Sequence, residues 1–325
     1  MGDVATDVLL KVLEEFDLDS IPGLAKLSPR QFVSLINRSQ TLLAEQYNIS
    51  FDQFRPLDVT HVQNILSLAQ GQTSLTLVMR HGEQLVSDKH KNLEADKMKI
   101  AMMQMPHNQD DGITPASVVE LYAQMVLIAY ISGKTGFKVS IESSSNKRAS
   151  QPAELIAKAL NCPKVQYSPR WQCVNYPNDQ TMAKHQLHQF LDKGSLPWKE
   201  TNVDAVIGQG VFDSITNNMY EMIQEDVLPN TIRLIITHTQ QTQALCEALG
   251  LSKDRLANFG FVAIPSNSQA QLYSQGAFTN QVLSVLQRQS FFNEQESRPD
   301  KPIASSTTLS LKRDEKGNIT PTILG

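Results

Sequence analysis

The first seventy residues place apolar positions at helical spacing. Val4 to Phe16 carries them at Val8, Leu9, Val12 and Leu13, the stripe of an amphipathic helix. A second helix has a strong start signal: Ser28 at the N-cap, Pro29 at the first helical position and Gln31 to complete a capping box. Leu27 and Phe32 occupy the two positions of a hydrophobic staple, and the apolar face continues through Leu35, Ile36, Leu42 and Leu43. A third helix is predicted from Thr60 through Val62, Ile65, Leu66 and Ala69, with Gly71 as its stop. At residue 74 the pattern changes. Ser74 to Met79 is a short apolar run that favours a strand, and Arg80-His81-Gly82-Glu83 ends it abruptly. Thr114-Pro115 opens a helix that reaches Ile131. Lys138 to Ile141 reads as a strand; it runs into Ser143-Ser144-Ser145 and then a helix through Ala153, Leu155, Ile156 and Leu160. Residues 166–215 are rich in Pro, Asn, Gln and His and show no clear period. Asn218 to Val227 reads as a helix. Thr231 to Thr237 is the clearest buried strand; it ends at His238, and a helix follows through Ala244, Leu245, Ala248 and Leu249 to Gly250. Phe261 to Ile264 reads as a further strand, and Leu309–Leu311 with Ile319–Ile323 as a hairpin around Asp314–Gly317.

Strands alternate with helices from 74 to about 265, which predicts an α/β fold: a three-layer α/β/α sandwich with a mostly parallel central sheet. The division expected is a helical extension over 1–71, the α/β domain over 72–290 and a tail over 291–325. In open sheets of this kind ligands bind beyond the carboxyl ends of the strands. Arg80-His81, the Ser143–Arg148 turn and His238 each follow a predicted strand directly, so three separate polar sites are expected at one edge.

Composition narrows the function classes. The chain has 325 residues, 41% hydrophobic and 19% charged, enough for a sizeable core. A net charge of -4 supplies no basic field, so a nucleic-acid partner is not expected. Three cysteines without a CxxC pair argue against a disulfide framework, and none has metal-ligand spacing with a histidine. The acidic start lacks the features of a secretory signal, and no stretch reads as long enough for a membrane span, so a cytoplasmic protein without a transmembrane segment is expected. No feature speaks to oligomeric state.

The chemistry comes from the three strand ends. A neutral imidazole can attack phosphorus and form a phosphohistidine, which splits one hard displacement into two easier ones. That points to His81 as nucleophile. Arginine suits the phosphoryl oxygens because its planar fork stays ionised and donates two parallel hydrogen bonds. Arg80 and Arg148 are the candidates, with Arg148 also near a helix start, where free N–H groups favour an anion. His238, if protonated, supplies another charged donor, and Ser143 to Ser145 add hydroxyl donors, with Ser145 the candidate for the phosphate. Gly82 lets the backbone pass close to the site. His90, His107, His185 and His188 have no such context.

These segments resemble those of the histidine phosphatase superfamily, which includes the cofactor-dependent phosphoglycerate mutases. LTLVMRHGE (75–83) resembles its opening motif, SSSNKRASQPAELIAKAL (143–160) its arginine-bearing second motif, and LIITHTQQTQALCEAL (234–249) its strand ending in a histidine. LANFGFVAIP (256–265) resembles the strand that follows, and Asp111-Gly112-Ile113-Thr114 a helix start of the family. The resemblance implies a phosphatase that works through phospho-His81, without cofactor or metal, on a phosphorylated small molecule or a phosphoprotein. It also implies a general acid. The mutase-like branch takes a glutamate from a loop that here reads SPRWQCVNYPNDQ (168–180), without glutamate; the acid-phosphatase branch takes an aspartate where Thr239 stands. Asp179 and Glu83 are the carboxylates left as candidates, Asp179 being equally readable as a turn residue beside Asn178. Two alternatives stay open: an inactive phosphate-binding regulator on the same fold, and a secreted bacterial effector phosphatase.

Overall fold

The computed structural model describes residues 4–14, 23–85, 112–172, 209–248, 256, 258–265, 308–313 and 319–324. Helices α1 (Val4–Glu14), α2 (Pro29–Gln46) and α3 (Val59–Ala69) come first. Strand β1 (Ser74–Arg80), helix α4 (Pro115–Thr135), strand β2 (Lys138–Ser143), helix α5 (Lys147–Ala159) and the short β3 (Gln166–Tyr167) follow. Then come α6 (Gln209–Gln224), β4 (Thr231–Thr237), α7 (Thr239–Ala248) and β5 (Phe261–Pro265). Strands β6 (Thr308–Arg313) and β7 (Ile319–Leu324) form a separate antiparallel pair.

The central sheet has the order β3-β2-β4-β1-β5, with β5 antiparallel to β1 and every other pairing parallel. The β1–α4–β2 and β2–α5–β3 connections cross the sheet one way and β3–α6–β4 crosses back. Right-handed crossovers therefore put α4 and α5 on one face and α6 on the other, where it packs with α7. The result is an α/β sandwich. β1 and β4 lie at its centre, and every residue of β1 is buried.

The N-terminal helices are set by local chemistry. Ser28 accepts from the Gln31 backbone at 3.3 Å while the Gln31 side chain accepts from the Ser28 backbone at 3.0 Å, closing the capping box. Asp58 rather than Thr60 begins α3; its carboxylate accepts from the backbone of Thr60 at 2.6 Å and of His61 at 3.0 Å. Gly71 takes the left-handed conformation (φ +75°) where the chain turns toward β1. Two helix faces differ from the expectation. On α1 the buried stripe is Thr6, Leu9, Leu10 and Leu13, while Val8 is exposed. On α2 it is Phe32, Val33, Ile36, Gln40 and Ala44, while Leu35 and Leu42 face outward.

All three helices pack on α4, and their buried residues belong to the same apolar core as the sheet. Tyr130 of α4 stacks on Phe32 with ring centroids 4.0 Å apart and donates its hydroxyl to the Leu27 carbonyl at 2.8 Å. By length and composition α4 suffices to cross a membrane, contrary to the reading of the sequence. In the fold, 13 of its 21 residues are buried inside the protein, which accounts for its apolar character.

Across the sheet, Arg233 of β4 donates to Glu142 of β2 at 2.6 Å and pairs with Glu225 beyond α6 at 2.8 Å. Trp171 Nε1 donates to Glu142 at 2.9 Å, and Arg170 also pairs with Glu225. This polar network anchors the turn at 169–171 on the carboxyl side of β2 and β4.

Candidate active site

Parallel pairing aligns the strand ends. Arg80 lies opposite Thr237, and Ser143 opposite Ile236, so the chain leaves β1, β2 and β4 at one edge. The backbone bonds run one residue further: His81 N–H donates to Thr237 O at 2.9 Å and Ser144 N–H to Ile236 O at 3.1 Å. The segment before β5 closes the corner from the other side. Arg80 N–H donates to Gly260 O at 2.8 Å, and Arg80 Nη1 to Leu256 O at 2.5 Å. Phe259, a non-glycine residue at φ +54°, lays its ring against Gly82; a Cβ at Gly82 would lie 2.6 Å from that ring and 3.0 Å from the Ser117 Cβ. Glycine is required here by close approach.

His81 is buried, and its Nδ1 lies 2.5 Å from the Gly82 carbonyl. A carbonyl oxygen only accepts, so Nδ1 carries the proton and Nε2 keeps its lone pair. Burial holds the imidazole pKa well below its ordinary value, and the neighbouring Arg148, His238 and Arg80 push the same way, opposed by the Gly82 bond. The ring is therefore neutral at neutral pH, with one fixed tautomer.

His238 sits beside it, ring centroids 5.0 Å apart at 60°. His238 Nε2 lies 2.8 Å from Ser144 Oγ, whose own proton goes to Asn146 Oδ1 at 2.8 Å. Ser144 must then accept, so His238 Nε2 carries a hydrogen and Nδ1 points to Arg148, whose Nε is 3.4 Å away. Arg148, second residue of α5, also donates to Gln84 Oε1 at 2.9 Å. A buried neutral imidazole, a second histidine with a fixed ring and two guanidinium groups thus share one strand-end pocket. Such a set can bind an oxyanion and present an unprotonated nitrogen to it.

Of the residues singled out from sequence, His81, Arg80, Arg148 and His238 come together. Ser145 does not join them: it is exposed and accepts from Gln172 Nε2 at 2.9 Å. Its neighbour Ser144 faces His238, because alternation along the strand end turns successive residues apart. Glu83 is exposed at the start of α4; its backbone donates to Ser117 Oγ at 2.7 Å, and its carboxylate accepts from Thr114 Oγ1 at 3.4 Å. Asp179 and Asp111 lie outside the described residues. Asn146 and Gln84 were missed; only their adjacency to the motifs hinted at them. Among the described residues no group of three metal-ligating side chains occurs.

No protein-family model matches the chain, and no curated protein sequence does. Solved structures resemble it at low identity. A phosphoserine phosphatase variant from Entamoeba histolytica bound to phosphoserine is 13% identical, with a TM-score of 0.37 over 58% of this chain and 89% of that one. A mycobacterial glucosyl-3-phosphoglycerate phosphatase is 17% identical, with a TM-score of 0.38 over 58% and 91%. YhfR of Bacillus stearothermophilus is 15% identical, with a TM-score of 0.37 over 59% and 90%.

Proposed function

We propose that the chain is a phosphatase of the histidine phosphatase type, hydrolysing a phosphate monoester on a small molecule or a protein through phospho-His81. The observation that supports this most directly is the His81 ring: buried, neutral, its Nδ1 tied to Gly82, with Arg80, Arg148 and His238 around it. Nε2 attacks phosphorus, an N–P bond forms, and the bond from phosphorus to the leaving oxygen breaks. Arg80 and Arg148 hold the phosphoryl oxygens as charge develops on them, with His238 beside them. The leaving oxygen takes a proton from a carboxyl, for which Glu83 and Asp179 are the candidates read from the sequence. Water then attacks the phosphohistidine, returns a proton to that carboxylate and releases phosphate.

Turnover of p-nitrophenyl phosphate, with rapid-quench trapping of phosphorylated protein, tests the proposal. Wild type is expected to give a burst and an acid-labile phosphoryl label. In His81→Ala the label disappears and turnover falls by roughly 10³-fold or more. Undiminished turnover by His81→Ala would sink the assignment. Glu83→Gln and Asp179→Asn identify the acid by which one loses activity on substrates with poor leaving groups. One observation favours a second reading, a phosphate-binding protein without turnover: Thr239, directly after His238, offers no carboxyl to protonate a leaving group. Phosphate binding with no hydrolysis of any ester would favour it.

A further inference from the structure

The Arg148 guanidinium is held from two sides. Its Nε lies 3.4 Å from His238 Nδ1, and its Nη1 donates to Gln84 Oε1 at 2.9 Å. A guanidinium only donates, so the oxygen of the Gln84 amide faces it and the amide nitrogen turns away. The group is planar, and a hold at two of its nitrogens fixes the direction in which the plane faces. The His238 contact is the longer of the two, which leaves the greater part of that hold to Gln84.

Gln84 is itself fixed by the chain around it. Its backbone forms an antiparallel bridge with Ile113; Leu85 N–H donates to Gly112 O at 3.0 Å, and Thr114 N–H to Glu83 O at 2.9 Å. The bridge joins the Arg80–Gly82 corner to the start of α4, where Thr114 is the N-cap. It also rests on α5. Gly112 takes φ +95°, and a Cβ there would lie 2.5 Å from Oε1 of Gln151, one turn beyond Arg148. Gln84 and Gly112 therefore meet one face of α5, at Arg148 and at Gln151. The acceptor that this bridge presents is a neutral amide. A carboxylate in its place would hold Nη1 equally well, but it would compensate the charge that a phosphate needs.

We propose that Gln84 is a positioning residue for phosphate binding: its amide oxygen, carried on the Gln84–Ile113 bridge, orients the Arg148 guanidinium without cancelling its charge. The inference rests on the phosphate-pocket reading above. A guanidinium oriented in advance has less rotamer freedom to lose when an oxyanion binds, so more of its hydrogen-bond energy is expressed as affinity.

The test is orthophosphate binding to the full chain by isothermal titration calorimetry at pH 7.5 and low ionic strength, where charge contacts are least screened. Gln84→Met keeps the length of the side chain and removes the acceptor; a loss of roughly tenfold in affinity is expected. Gln84→Glu keeps an acceptor and adds a charge, and is expected to lose at least as much. In an Arg148→Lys background no plane is left to orient, and Gln84→Met is expected to weaken binding less than about twofold further. Wild-type affinity in Gln84→Met or in Gln84→Glu overturns the proposal. So does an undiminished loss in the Arg148→Lys background, which is what a merely structural contribution of Gln84 gives. If Gln84→Met does not fold, judged by its thermal melt, Gln84→Glu decides. Wild type that binds no phosphate removes the pocket itself and this inference with it, a result distinct from binding that is indifferent to residue 84.

Discussion

The start of α2 and the Arg80–Gly82 corner are both places where the chain changes direction, and they are held in opposite ways. At α2 the partners are three residues apart: Ser28 and Gln31 satisfy each other's backbone and need little else. At the corner they come from far along the chain. Arg80 reaches Leu256, Glu83 reaches Ser117, His81 hangs from Thr237, and Gly82 is wedged under Phe259. A local device of the first kind contributes a fixed increment that is independent of the rest. The corner is a set of mutual constraints, and disturbing one displaces the others together with His81.

That contrast can be broken by substitution. Gly82→Ala should have the largest effect on stability. Its methyl enters the space of the Phe259 ring and the Ser117 side chain, and such overpacking costs about 3 kcal/mol. Chemical denaturation would show the loss, and phosphatase activity should collapse with it, because the Nδ1 partner of His81 is the Gly82 carbonyl. A Gly82→Ala protein of wild-type stability would mean that the corner is slack. Ser144→Ala is expected to be intermediate. It strips His238 Nε2 of its acceptor and frees the ring, a loss of about 1.4 kcal/mol, or roughly tenfold in kcat/KM. Steady-state kinetics with unchanged KM and kcat would show that His238 needs no such hold. Ser28→Ala is the smallest and sharpens the comparison from the other side: about 1 kcal/mol of stability in a denaturant titration, with kcat/KM unaffected.

The same contrast explains what could be read from the sequence. β1, β4, the capping box and the β6–β7 pair were legible because run length, turn residues and cap spacing are local properties. The convergence of His81, Arg148 and His238 was legible too, since each follows a strand and parallel strands end together. Hydrophobicity alone misplaced the helix faces. Thr6 and Gln40 are polar yet buried, Gln40 because its amide joins two backbone carbonyls, and Leu35 and Leu42 are apolar yet exposed. The choice among Ser143, Ser144 and Ser145 was likewise hidden. Three adjacent hydroxyls are equivalent in sequence, and only the pairing of β2 with β4 decides which one meets His238.

The burial of α4 has a consequence for how the chain is made. Its 21 apolar-rich residues leave the ribosome about a hundred positions before β4, when four of the five strands of the sheet beneath it, β2 to β5, do not yet exist. Exposed at that moment, α4 offers a nascent chain an invitation to clump or to stray into lipid. Helices α1, α2 and α3 are already synthesised, and each packs against α4 in the finished protein. Their contact faces are thus available to cover part of its apolar surface before the later strands are made.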